Sequence, residues 1–116
     1  MITKGLRGAI TVDENTENAI KIATLELLYE LTKQNKIRKE NISHIIFTVT
    51  NDLDAAFPAK FARQNLGYDD VAMMCFNEIP VKNSLKMCLR ILIVLNCEED
   101  FEPKFVYLKG AQDLRK

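Results

Sequence analysis

One arginine stands in the middle of an apolar run of this sequence. Residues 86–95 read KMCLRILIVL, and their continuous apolar side chains predict a strand that is buried on both faces. Arg90 lies at its centre. A buried guanidinium needs an anionic partner, because leaving it unpaired costs about 3–5 kcal/mol. That partner is either a carboxylate of the protein or a ligand, and this strand alone does not decide between the two.

Three further cations have spacings that suit anion binding. Arg7 lies between Gly5 and Ala9 on one face of a predicted strand, which leaves open space beside it. A solvated arginine on an edge strand is the more common explanation. Lys60 and Arg63 are three residues apart and share one face of a predicted short helix, whose N-terminus could hold an anion with them. Two solvated charges would give the same pattern.

Two helices and five strands account for most of the chain. Asn15 or Thr16 is predicted to cap a long helix that runs to about residue 34, with apolar positions at helical spacing. A short helix over residues 58–66 starts at Pro58 and closes at Gly67. The predicted strands cover residues 2–12, 45–49, 71–77, 86–95 and 104–108, and residues 109–116 are predicted to form a loose tail.

This order of elements predicts a single α+β domain over residues 1–116. Its core would be a mixed five-stranded β-sheet with one long and one short helix. Two helices are too few to cover both faces of such a sheet. A large exposed apolar surface usually meets a protein partner, so we expect a homo-oligomer.

Composition argues against several classes of protein. Lys plus Arg and Asp plus Glu both number 16, so no basic surplus favours nucleic acid or an anionic membrane as a partner. No apolar run approaches the roughly 20 residues that span a bilayer, and residues 1–4 lack the apolar stretch of a signal peptide. With three cysteines, no CxxC pair and one histidine, we expect reduced thiols, a cytoplasmic location and no metal site.

Five short motifs together resemble one enzyme family. They are RGAITV at 7–12, DLDAAFPAKFAR at 52–63, CFNE at 75–78, CLR at 88–90 and VYL at 106–108, in order over nearly the whole chain. The chain resembles the monofunctional trimeric α/β chorismate mutases of the AroH type. The resemblance implies rearrangement of chorismate to prephenate, on the shikimate pathway to phenylalanine and tyrosine, without a cofactor or a covalent intermediate. It also implies a homotrimer, arranged as a pseudo-barrel, with active sites in clefts between subunits.

The resemblance also implies a role for each matching position. Arg90 would contact the ether oxygen of the breaking C–O bond and would also help to hold a carboxylate. Glu78 and the backbone around Cys75 would hold the ring hydroxyl. Arg7 and Tyr107 would bind a substrate carboxylate. The other substrate-binding positions that the resemblance implies are Phe57, Lys60, Arg63, Met74, Leu114 and Arg115.

Two other functions fit part of the pattern. An enamine/imine deaminase-like trimer would also hold a carboxylate with arginine, although the CxxE and CxR motifs together speak against it. A non-catalytic carboxylate-binding module would bind chorismate or prephenate without reaction. Met73 and Met74, which stand where smaller residues are usual, keep that alternative open. In any of these cases we expect Glu78 to pair with Arg90 when the site is empty. We expect Cys75 to line the pocket, since no histidine is placed to activate it.

Overall fold

A mixed sheet of five strands carries two helices on one of its faces. The structure, a computed structural model, describes residues 1–114, so the implied site residue Arg115 lies outside the described residues. No helix in the described part of the chain is long and apolar enough to cross a membrane. The elements are β1 (Ile2–Thr11), α1 (Glu17–Asn35), β2 (Ile42–Val49), α2 (Pro58–Leu66), β3 (Ala72–Asn77), β4 (Cys88–Cys97) and β5 (Val106–Leu108). Single 3-10 turns cover Lys39–Asn41 and Lys109–Asp113.

The strand order is β3-β2-β4-β1-β5, which places β4 at the centre of the sheet. β4 is antiparallel to both of its neighbours, β2 and β1. The two edge strands are parallel to the strands that they join, β3 to β2 and β5 to β1. The predicted α+β class, with a mixed five-stranded sheet and one long and one short helix, is therefore confirmed.

The main core lies between the sheet and α1. On the sheet side, alternate residues of the inner strands point toward the helices, as Leu6, Phe47 and Ile93 do, and all three are fully buried. On the helix side, Leu27 and Leu31 are also fully buried. Each such side chain contributes about 1.5–3 kcal/mol through its removal from water.

Polar side chains fix both ends of α1. The hydroxyl of Thr16 caps its first turn by accepting a hydrogen bond from the Ala19 N–H at 3.1 Å. Of the two residues predicted as the cap, Asn15 and Thr16, the cap is therefore Thr16. At the other end the buried side chain of Asn35 donates to the carbonyl of Lys104 and accepts from its N–H, at 2.9 and 2.7 Å. Asn35 thus ties the end of α1 to the segment that leads into β5.

The prediction that the central strand is buried on both faces is wrong for the single chain. On the face of β4 that points toward the helices, Leu89 and Ile91 are at most 2% exposed. On the opposite face the side chain of Arg90 is 48% exposed, and Leu92 and Val94 are only half-buried. The reason is that both helices pack on the same side of the sheet. This uncovered side, which carries Arg90, is called the open face below.

The prediction of a loose tail is wrong for residues 109–113. These residues form a 3-10 turn that packs against β1, and Ala111 in that turn is fully buried. Its methyl group joins Ala9 and Cys88 in a second, smaller apolar cluster. The N–H of Gly110 donates to the hydroxyl of Thr11 at 2.9 Å. Small side chains therefore let the turn sit directly on the sheet.

Gly8 of β1 is predicted to be intolerant of a side chain. A Cβ atom at this position would lie 2.9 Å from the carbonyl oxygen of Val106 and 3.0 Å from side-chain carbons of Leu27 and Leu31. Since overpacking of this kind typically costs about 1–3 kcal/mol, Gly8→Ala should lower the free energy of unfolding by that amount. Urea denaturation at a fixed protein concentration measures the change.

Gly5 of the same strand provides the matched control. It lies on the open face, where an added Cβ would make an ordinary contact of 3.5 Å with Leu92. Gly5→Ala should therefore change the free energy of unfolding by no more than about 0.5 kcal/mol. Equal destabilisation by the two substitutions would contradict this account of the β1–α1 contact.

Candidate active site

A cavity of about 470 Å³ opens on the open face above β1, β2 and β4. It collects five of the residues that the resemblance implies, from distant parts of the sequence: Arg7, Glu78, Arg90, Tyr107 and Leu114. Thr48 lines the same cavity. One face of the sheet thus brings together two arginines, a carboxylate and a phenol.

The register of the sheet places Arg90 between small neighbours. In β1 its cross-strand partner is Ala9, and in β2 it is Thr48. Side chains that oppose each other in this way lie on the same face of a sheet. Neither neighbour is large enough to cover a guanidinium, which explains why Arg90 stays half-exposed in an otherwise apolar strand.

The guanidinium of Arg90 is paired with the carboxylate of Glu78. Its Nε lies 3.0 Å from Oε2 of Glu78, whose side chain is 20% exposed. Glu78 follows the last residue of β3, and its backbone N–H still donates to the carbonyl of Val49 at 2.9 Å. The hydroxyl of Thr48 also donates to Oε2 of Glu78. The expected pairing of Glu78 with Arg90 is therefore confirmed.

A network of polar groups fixes the start of β4. The carboxylate of Asp52 accepts a hydrogen bond from the Met87 N–H at 3.0 Å. Met87 has a left-handed backbone conformation, with φ of 52°, that this contact holds in place. Thr50 exchanges hydrogen bonds with Cys88 in both directions, at 3.0 and 3.1 Å. Because these hydrogen bonds hold Met87 and Cys88, the backbone of Arg90, two residues after Cys88, is also held in a fixed position.

Arg7 lies on the open face of β1 and is held by an aromatic ring. Its guanidinium carbon is 5.6 Å from the ring centroid of Phe105, a distance typical of a cation–π contact. Tyr107 pairs in register with Ala9, which lies between Tyr107 and Arg90 in the sheet. Sequence reasoning missed Phe105, which carries no motif signal of its own.

The other residues that the resemblance implies lie in a different place. Phe57, Lys60, Arg63, Met74 and Cys75 line a cavity of about 350 Å³ between α2 and β3. Phe57 and Met74 are largely exposed there, at 72% and 61%. Within one chain the residues implied by the resemblance thus form two separate groups, one around Arg90 and one around Phe57.

Alternation along β3 separates the two methionines. Met74 points to the open face, whereas Met73 packs against the main core. Met73 also contributes to the wall of the smaller cavity. The two methionines therefore affect the shape of the smaller cavity in different ways, Met74 as a surface side chain and Met73 as a side chain packed on the core.

Lys60 forms an ion pair at the edge of the second group. Its Nζ lies 2.7 Å from Oε1 of Glu17, in the first turn of α1. The hydrogen bond and the charge of Lys60 lower the pKa of the Glu17 carboxyl. Both side chains are well exposed, so this pair contributes little to stability.

The thiols near the two groups are poor nucleophiles. Burial raises the pKa of Cys75, although a backbone hydrogen bond with Ala59 partly opposes the shift. Burial also raises the pKa of Cys88 to about 11, against the attraction of the Arg90 charge. Both thiols stay protonated at neutral pH, which agrees with lining and packing roles. In residues 1–114, no three side chains of His, Cys, Asp or Glu come together as a metal site.

Comparison with known proteins gives a consistent result. The family model for chorismate mutase type I matches residues 3–116. The chain is 42% identical to chorismate mutase AroH of Thermus thermophilus, covering 98% of this chain and 94% of that protein. It is 33% identical to chorismate mutase AroH of Bacillus subtilis strain 168, covering 99% and 91%.

A solved structure agrees with these sequence matches. The chorismate mutase from Clostridium thermocellum (Cth-682) superimposes with a TM-score of 0.89 at 45% identity, covering 94% of this chain and 97% of that one. Fold, sequence and motif order therefore coincide over almost the full length. The chain belongs to the chorismate mutase type I family.

Proposed function

We propose that this protein rearranges chorismate to prephenate at the Arg90 cavity, and that a neighbouring subunit completes the site. Its family is that of the chorismate mutases, which are isomerases. The observation that carries the proposal is the presence of Arg7 and Arg90 in one cavity, with Glu78 beside Arg90. Two fixed cations suit a substrate with two carboxylates.

This rearrangement requires a site that binds chorismate in one conformer and stabilises developing negative charge, and it requires no nucleophile. Chorismate is a flexible dianion that must be held in a compact conformer before its C–O bond breaks and its new C–C bond forms. Holding reacting ends together supplies up to about 7–11 kcal/mol in well-oriented systems. A fixed donor at the oxygen that gains negative charge supplies about 3–4 kcal/mol more.

Arg90 is the residue that we assign to the breaking C–O bond. Its Nε is engaged by Glu78, so the terminal nitrogens of the guanidinium are the groups offered to the ether oxygen. Glu78 uses Oε2 for Arg90 and Thr48, and we assign its other oxygen to the ring hydroxyl. A carboxylate has lone pairs on both oxygens, so these tasks do not compete.

Arg7 and Tyr107 are assigned to a substrate carboxylate. The contact of Arg7 with Phe105 is made to the face of the aromatic ring, so we assign the N–H groups of the guanidinium to a carboxylate. The hydroxyl of Tyr107 can donate to the same group from the neighbouring strand. Leu114, which lines the cavity, adds apolar cover.

We propose a homotrimer with its sites at the subunit interfaces. Support comes from the two separate groups of site residues, since the Phe57 group of one subunit could complete the Arg90 cavity of the next. Further support comes from apolar side chains exposed on or beside the open face. Met74, Phe76, Ile79 and Val81 are between 44% and 78% exposed. Burial of such a surface between copies would also lower the dielectric around Arg90 and strengthen its effect on charge.

We also propose that residues 1–116 act as one domain in the cytoplasm. The match of one family model to residues 3–116 supports a single domain. The free thiols of Cys75, Cys88 and Cys97 suit a reducing compartment.

Removing the cation at position 90 should abolish most turnover. Arg90→Ala is expected to lower kcat by at least about 10²–10³-fold, because it removes a charge aimed at the transition state. Arg90→Lys should also be impaired, since an ammonium cannot pair through Nε while offering further nitrogens. The assay is the loss of chorismate absorbance with purified protein, with circular dichroism as a check of folding.

Arg38→Ala is the control for this series. Arg38 is an exposed arginine before the first 3-10 turn and lines none of the cavities described above. Its replacement should leave turnover unchanged. Near-normal turnover by Arg90→Ala would contradict the role assigned to the guanidinium.

The thiol of Cys75 should be dispensable. Cys75→Ser is expected to keep most of the activity, because the raised pKa holds the group as a neutral thiol through the physiological pH range. For the same reason, the rate between pH 6 and 8 should not rise with thiol ionisation. Cys97→Ser, at the far end of β4, serves as control. Complete inactivation by the first substitution alone would point to thiol chemistry instead.

The open face should be required for assembly. Light scattering is expected to give about three times the chain mass of 13.3 kDa. Val94→Asp, which places a charge on that face, should yield smaller species with little activity, because an unpaired charge is costly to bury. Ile22→Asp makes a similar change on the outer surface of α1, where Ile22 is 53% exposed, and should preserve the trimer. A stable and fully active monomer would refute the shared-site proposal.

A further inference from the structure

We infer that Thr48 is a positioning residue for the Arg90–Glu78 pair, an inference that rests on the proposed function of that pair. None of the motifs of the family resemblance includes this residue. Thr48 lies in β2, lines the Arg90 cavity and faces the open side of the sheet. Its hydroxyl would act on the reaction through Glu78 rather than by touching the reacting atoms.

Two donors converge on one carboxylate oxygen. The hydroxyl of Thr48 and the Nε of Arg90 both reach Oε2 of Glu78. Since Thr48 and Arg90 oppose each other in the β2–β4 register, their separation is set by the sheet itself. The carboxylate is thus held from two fixed points on adjacent strands.

Glu78 needs such a holder because of its place in the chain. It follows the end of β3, where its N–H makes one last ladder hydrogen bond to Val49. A glutamate side chain otherwise has several rotamers, and holding it in one of them costs conformational entropy. The Thr48 hydroxyl selects the rotamer in which Oε2 meets Arg90 and Oε1 stays available to a ligand.

A packing role for Thr48 makes a different prediction. Thr48 also pairs with Phe76 in β3, so its methyl group could matter for the sheet alone. Valine has nearly the same shape and favours strands at least as well as threonine does. A packing role is therefore preserved by Thr48→Val, whereas a hydrogen-bonding role is lost. Thr48→Ser reverses the comparison, since it keeps the hydroxyl and removes the methyl group.

Steady-state kinetics with chorismate test the hydroxyl. Thr48→Val should lower kcat by about 10–100-fold with a much smaller change in KM, since misplacement of a group that acts in the transition state falls mainly on kcat. Thr48→Ser should remain within about threefold of the parent protein, because it keeps the donor. Thr3→Val, which removes a threonine hydroxyl bonded to Asn96 outside the cavity, should leave kcat unchanged. Thermal unfolding verifies that each variant folds.

A double-substitution cycle tests whether Thr48 acts through Glu78. In a Glu78→Ala background the side-chain acceptor is gone, so adding Thr48→Val should cause little further loss of kcat. Fully multiplicative losses would overturn the inference. So would a Thr48→Val variant with normal kcat, or a Thr48→Ser variant as impaired as Thr48→Val.

A spectroscopic measurement separates this inference from the proposed function. The Nε–H resonance of Arg90, assigned through its loss in Arg90→Lys, should shift and exchange faster with water in Thr48→Val, because the acceptor is no longer fixed. An unchanged resonance would overturn the positioning role even if turnover fell. Absence of chorismate turnover in the unaltered protein would defeat the proposed function, while a shifted resonance would still support the role of Thr48.

Discussion

The ion pair between Arg90 and Glu78 depends on three strands that are held in register. β4 supplies the guanidinium, the end of β3 supplies the carboxylate, and β2 lies between them and hydrogen-bonds to both. A shift of β2 by one residue would turn every side chain of that strand to the opposite face. The buried side chains of Ile45 and Phe47 prevent such a shift, since they must face the helices. The hydrophobic core thereby fixes the geometry of a polar site on the other side of the sheet.

Covering only one face of the sheet explains most other features of the chain. It keeps Arg90 accessible in a strand that is otherwise as apolar as a buried one. It also leaves Met74 and Phe76 exposed, which is costly for a monomer and useful for an assembly. The same arrangement divides the residues that the resemblance implies into two groups. The exposure of the Arg90 charge and this division therefore have one structural origin.

The sequence predicted the local elements well because their signals are local. Thr16 at the start of α1, and Pro58 and Gly67 at the two ends of α2, act within a few residues. The burial of β4 was predicted less well, since an apolar strand looks alike whether a helix or another subunit covers its second face. The burial of Ala111 was not predicted, because Ala111 packs against Ala9 and Cys88, which are distant in the sequence and adjacent only in the folded chain.

For the candidate site, the apolar run around it singled out Arg90, the family resemblance implied Glu78, and their pairing was expected. Thr48 and Phe105 were missed. The one available signal for Thr48 was its alternation with Phe47, which puts it on the face away from the core. That signal shows which side Thr48 occupies but not which carboxylate it meets. Such a contact requires the strand order, which periodicity does not contain.

The small cluster of Ala9, Cys88 and Ala111 bears on how the protein is made. Ribosomes add residues in order, so a nascent chain has β1 long before it has the turn that holds Ala111. The main core can form from earlier segments, but this cluster beside Arg90 stays incomplete until the turn at Lys109–Asp113 has been synthesised. A chain stopped before residue 111 would therefore keep most of its core but would lack both the complete cluster and Leu114, which lines the cavity.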